Sequence, residues 1–146
     1  MKKGILTPAV IVMILLARCD RGENPRPEET ERLTFTIGTI CGWCAGGDSL
    51  TISKDSTRYE SFSPCDDSAY SAGTVTDPAA WKELTGLFDA VEFQKILINT
   101  CYYCVDGCDT WIMVTGDSIS HRIRFGYRDS LAIQQIKLFV SHLESL

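Results

Sequence analysis

The sequence predicts an α+β domain over residues 33–146: an antiparallel sheet of two hairpins plus an edge strand, two or three helices packed on one face, and disulfide staples. Three observations carry this. Leu33, Phe35 and Ile37 alternate with Thr34 and Thr36, the period-two signature of a half-buried strand. Two later segments show apolar residues at helical spacing. Six of the seven cysteines fall after the last residue of the N-terminal polar segment, an even number that can pair completely.

Taken in order, Leu33 to Ile40 is the first strand. Leu50-Thr51-Ile52 and Thr57 to Phe62 form a hairpin around Lys54-Asp55-Ser56. A polar loop with Pro64 and Cys65 follows. Thr76-Asp77-Pro78 supplies an N-cap and a proline at the first helical position, and Trp81, Leu84, Leu87 and Phe88 continue a helix over 78–89. Trp111 to Val114 and His121 to Tyr127 form a second hairpin around residues 115–118, with Ile123 and Phe125 opposing Arg122 and Arg124. Asp129 reads as the cap of a final helix reaching Leu143, whose stripe is Ala132, Ile133, Ile136, Phe139, Val140 and Leu143. A weak internal echo links the halves, since Cys41-Gly42-Trp43-Cys44 and Cys101-Tyr102-Tyr103-Cys104 each precede a hairpin.

Residues 1–18 have the anatomy of a secretory signal: Lys2 and Lys3, then an apolar run from Ile5 to Ala17. That run is shorter than the roughly 20 residues a spanning helix needs. Leu16-Ala17-Arg18-Cys19 is similar to a bacterial lipobox, with Arg18 where a small residue is usual, and makes Cys19 the expected lipidation site. Residues 19–32 follow as a charged, proline-containing segment, DRGENPRPEETER after Cys19, that reads as a flexible tether. The expected location is therefore the bacterial cell envelope, with the domain in the periplasm or at the cell surface and the membrane reached through a lipid anchor.

The whole chain has a formal charge of −5, and removal of residues 1–18 takes away three basic residues and no acid, leaving −8. Such a domain lacks the clustered cations that phosphates demand, so nucleic acid is excluded as a partner.

The two CxxC pairs admit three chemistries. A redox pair at Cys41/Cys44 requires the motif to open a helix, whereas Ala45-Gly46-Gly47-Asp48 signals a turn. A zinc-thiolate site of Cys41, Cys44, Cys101 and Cys104 suits a reducing compartment. An exported chain favours structural disulfides among Cys41, Cys44, Cys65, Cys101, Cys104 and Cys108, with pairing unreadable because six cysteines allow 15 connectivities. No catalytic residue, metal or cofactor is expected. His121 and His142 read as surface residues, and Asp66-Asp67 and Asp106 with Asp109 as solvated turns rather than calcium ligands. Trp43, Tyr102 and Tyr103 lie between cysteines and are candidate anchors for a protein or glycan partner, or else covers for the disulfides. The expected role is non-enzymatic binding or structure; the alternative is a thiol-disulfide or zinc-thiolate protein.

The stretch from Cys41 to Leu146 resembles a family of uncharacterised bacterial envelope domains, many of them lipoproteins. The matching residues are Cys41, Gly42 and Cys44, then Leu50-Thr51-Ile52 before Lys54-Asp55-Ser56, Phe88 and Phe93, and Asp109-Thr110 ahead of the last hairpin. Ala45 and Gly46 stand after Cys44 where the family has a proline-containing segment. The resemblance implies an envelope location and an α+β domain, and no activity.

Overall fold

A computed structural model describes residues 30, 32–126, 129 and 131–146; the side chain of Cys44 is not among what it describes. The predicted leader, Cys19 and most of the tether lie outside the described residues. The alternation at Leu33–Ile37 becomes β1 (Thr34–Cys41), which buries Phe35 and Ile37 and leaves Thr34 and Thr36 on the other face. The first hairpin becomes β2 (Gly47–Ser53) and β3 (Thr57–Ser63), and the second becomes β5 (Cys108–Thr115) and β6 (Ser120–Phe125). Between the hairpins lies β4 (Ser68–Thr74), where the sequence reads as a polar loop. The strands form one antiparallel sheet in the order β4-β3-β2-β1-β5-β6. The α+β class holds, but β1 is interior rather than at an edge.

Helix α1 (Pro78–Leu87) begins as the sequence predicts: the Asp77 carboxylate accepts the Ala79 N–H at 3.2 Å, and Pro78 occupies the first position. A short helix α2 (Ala90–Gln94) follows, capped by Asp89, whose carboxylate accepts the Val91 and Glu92 N–H groups at 3.0 Å. The final helix α3 (Lys137–Ser145) is shorter than the apolar stripe suggests. Residues 134–136 are a 3-10 turn, and Asp129 caps no helix, because its carboxylate accepts the Gly126 N–H at 2.8 Å. Ile133, Ile136, Phe139, Val140 and Leu143 are nevertheless all buried, whereas Ala132 is exposed.

The core lies between one face of β1, β5 and β6 and the helices. The Phe35 ring, fully buried, meets Trp81, Phe88 and Phe139 at centroid distances of 5.6, 5.1 and 5.5 Å. Truncating a ring in such a position costs about 3–5 kcal/mol, through lost transfer energy and the cavity left behind. On the opposite face Trp111 lies across Gly38, where an added Cβ would come within 2.7 Å of the indole. Arg122 stacks over the same ring at 5.9 Å.

The described helices do not cover the whole sheet. Ile52 is the last buried residue in the direction of β3; every residue of β4 is exposed, and β3 contributes none to the core. The strands β3 and β4 thus project as a wing beyond the helical layer, joined to the core through Leu50 and Ile52 of β2.

Candidate functional site

The two CxxC segments meet at one end of the sheet. The first follows β1 as a 3-10 turn at Trp43–Ala45, and the second precedes β5 as a 3-10 turn at Tyr102–Val105. Cys41 and Cys108 stand directly opposite each other in the β1–β5 pair and are joined by a disulfide, with their Cα atoms 4.1 Å apart. The neighbouring Gly42 N–H donates to the Gly107 carbonyl at 2.9 Å. Gly46 closes the first turn with φ of +71°, and a Cβ there would lie 2.0 Å from the Phe62 carbonyl oxygen, so glycine is required.

Cys101 bonds Cys104 within its own CxxC, and Cys65 is also disulfide-bonded. Cys41 is thus tied to Cys108, and the thiols of Cys41, Cys101 and Cys104 are taken up in two separate bridges instead of converging. Among the described residues no group of three or more His, Cys, Asp or Glu side chains is placed to hold a metal ion.

Asp109 organises the second turn. It is fully buried, contrary to its reading as a solvated turn residue, and its carboxylate accepts the Thr100 hydroxyl at 2.7 Å and the Tyr103 N–H at 3.0 Å. A buried carboxylate with two donors is a structural clamp, satisfied where an unpaired one would be costly. Asp66 holds the β3–β4 turn, accepting the Ser68 hydroxyl at 2.7 Å and the Ser68 N–H at 3.2 Å. The Ser68 hydroxyl, then that of Ser63, holds this exposed carboxyl below the usual aspartate range.

The candidate aromatic anchors have different surroundings. Trp43 is 82% exposed and sits at φ of +53°, an uncommon backbone for a bulky residue. Tyr103 lies beneath the Arg124 guanidinium at 4.9 Å, and Tyr102 packs on Gly126; both are half-buried. His121 is half-buried too: its Nε2–H donates to the Ile96 carbonyl at 2.8 Å, and its ring meets Phe93 edge-on. His142 Nδ1 lies 3.7 Å from Glu83.

The wing presents a different surface, on its helix-side face. The register pairs Leu50 with Tyr59, and Ser61 with Tyr70, so alternation sets Leu50, Tyr59, Ser61 and Tyr70 on one face. The two tyrosine rings are 6.2 Å apart and tilted, with Tyr70 60% exposed. Two hollows adjoin there, of about 350 and 440 Å³, sharing Thr39, Asp48 and Tyr59. One runs toward the Cys41 end past Ser61, Ser68 and Tyr70; the other runs beneath the C-terminus of α3 at Leu143 and Leu146. Among the described residues neither is lined by a lysine or arginine. Asp48 is fixed there, its Oδ1 accepting the Thr39 N–H at 3.1 Å. The sequence gives these residues no prominence, because the face exists only once β4 is paired with β3.

Among the described residues no helix is long and apolar enough to cross a membrane. No protein-family model matches this chain, and no curated protein matches it.

Proposed function

We propose that the chain is an exported, lipid-anchored envelope protein whose domain holds a neutral, polyhydroxylated ligand, an envelope glycan, on the uncovered wing of its sheet, without catalysing a reaction. The observation that carries this reading is the pairing of Tyr59 and Tyr70 on a face the helices leave open, beside hydroxyl groups and one fixed carboxylate. Aromatic rings offer flat apolar platforms, while a few placed polar groups fix orientation. The described lining carries no lysine or arginine, which disfavours anionic ligands, and the net acidic charge adds to that. The signal-like residues 1–18, Cys19 and the tether at 19–32 support delivery to a membrane surface. The likeness to envelope domains points the same way.

The test is co-sedimentation of the exported chain with insoluble envelope polysaccharide. The reading predicts retention of the native chain and loss of retention in Tyr59→Ala/Tyr70→Ala. Equal retention of both would remove the wing from the account.

One observation favours a second reading, thiol–disulfide exchange at Cys101–Cys104. Cys104 is exposed, and the bridge spans only three residues of separation in a surface turn. Titration with a glutathione buffer addresses it: reduction of Cys101–Cys104 at a poise that leaves Cys41–Cys108 intact supports exchange, whereas reduction of both together opposes it.

A further inference from the structure

The two edges of the sheet are treated differently. At the β6 edge, residues 96–100 lie alongside the strand: Arg124 N–H donates to the Ile98 carbonyl at 3.1 Å, Thr100 N–H to the Arg124 carbonyl at 2.9 Å, and His121 Nε2–H to the Ile96 carbonyl. Asn99 and Arg124 form a parallel bridge there. That edge is covered. At the other edge β4 ends the sheet, and among the described residues no segment pairs with its outer side.

Natural sheets blunt an open edge with lysine, proline, a bulge or a short strand. β4 uses none of these. Its sequence, Ser-Ala-Tyr-Ser-Ala-Gly-Thr, is seven residues long and carries no charge and no proline, and its register with β3 runs unbroken from Thr57↔Thr74 to Ser63↔Ser68. The nearest cation on β3, Arg58, is paired with Glu60 at 2.8 Å and its Nε–H donates to the Ser71 hydroxyl at 3.2 Å, so its charge is neutralised where it reaches β4.

We infer that β4 is a docking edge for a second copy of this chain, joined antiparallel about a twofold axis at Ser71. The sequence of β4 suits itself in that arrangement. Ser68 falls opposite the other copy's Thr74, Ala69 opposite Gly73, and Tyr70 opposite Ala72, so each large ring covers a methyl group, β4 itself brings no charges together, and the Arg58 that reaches Ser71 comes paired with Glu60. Self-complementarity is the argument for a second copy over an unrelated strand. The chain is acidic overall, and β4 is where two copies approach without opposing carboxylates. Pairing would extend the sheet from six strands to twelve and bring the two Tyr59–Tyr70 faces side by side. Main-chain hydrogen bonds would supply the affinity, as in strand addition generally.

A single strand pair buries less than a stable interface of about 1,200 Å². The dimer is therefore weak in free solution and strengthened where a tether raises the local concentration. This inference does not depend on the glycan reading, which is tested with a different ligand and different residues.

The experiment is sedimentation equilibrium on the exported chain carrying Cys19→Ser, so that no acyl group drives association. A monomer–dimer equilibrium is expected, weakened at least about tenfold by Ser71→Lys and by Ser71→Glu alone, because each places like charges together at the axis. Mixing the two variants should restore association as a heterodimer. Circular dichroism confirms that both remain folded, and hydrogen exchange of the native chain should show β4 amides protected only at high concentration. A monomer at about 1 mM, or a dimer indifferent to both substitutions with β4 exchange independent of concentration, overturns the inference.

Discussion

Replacing Cys41 and Cys108 together with alanine should destabilise the domain far more than replacing Cys101 and Cys104. The Cys41–Cys108 bridge spans 67 residues and closes a loop containing β2, β3, β4 and both of the first two helices. The chain-entropy relation gives about 4.4 kcal/mol at 25 °C for a loop of that length, against about 1.9 kcal/mol for a loop closed by residues three apart. The Cα atoms of Cys41 and Cys108 are already opposed by β1–β5 pairing, so alanine at both positions leaves the ladder intact and reports mainly on the denatured chain. Urea denaturation at 25 °C measures the difference directly. The account predicts a loss of about 4 kcal/mol, a fall in melting temperature of about 15–20 °C, and a rise in the urea slope as the freed chain expands. A loss below about 2 kcal/mol for Cys41→Ala/Cys108→Ala, or a larger loss for the Cys101–Cys104 pair, would refute the reasoning.

Asp109→Ala strands the Tyr103 N–H and leaves the Thr100 hydroxyl only the Arg124 carbonyl at 3.2 Å, and should cost about 2 kcal/mol in chemical denaturation, while Asp109→Asn, which keeps an acceptor, should cost less. Carbon-detected NMR titration should place the Asp66 carboxyl below the usual aspartate range, and Ser68→Ala should move it back up. Because the folded value is depressed, the contribution of this group is present above the unfolded aspartate pKa and is lost as pH falls through the folded value. Ser71→Lys and Ser71→Glu should each weaken self-association at least about tenfold, as sedimentation equilibrium would record.

The parts of the fold legible in the sequence are those with one buried face. β1 is plain because Phe35 and Ile37 enter the core while Thr34 and Thr36 do not, and α1 is plain because Asp77 and Pro78 mark its start. β4 is illegible for the opposite reason: both its faces are exposed, so its alternation carries no apolar signal and its residues read as a loop. With β4 unread, Tyr59 and Tyr70 could not be placed on one face. The final stripe is correct in its buried residues but not in its conformation, since a 3-10 turn can bury Ile133 and Ile136 as well as a helix does, and the capping signal at Asp129 serves Gly126 instead. Asp109 looks like a turn acid in sequence; only the fold supplies the two donors that keep it buried. Six cysteines allow many pairings, and the opposition of Cys41 to Cys108 follows from β1–β5 register, a long-range fact that spacing cannot encode.

The central claim is that the wing is built to receive a ligand and contributes little to folding. The direct measurement is to take Tyr59→Ala/Tyr70→Ala and record its unfolding free energy and its retention by envelope polysaccharide on the same preparation. The rings are partly solvated, Tyr59 by 38% and Tyr70 by 60%, so the double substitution should cost under about 2 kcal/mol, against about 3–5 kcal/mol for Phe35→Ala, and should abolish retention. A double variant that loses core-like stability, or that keeps full retention, contradicts the claim.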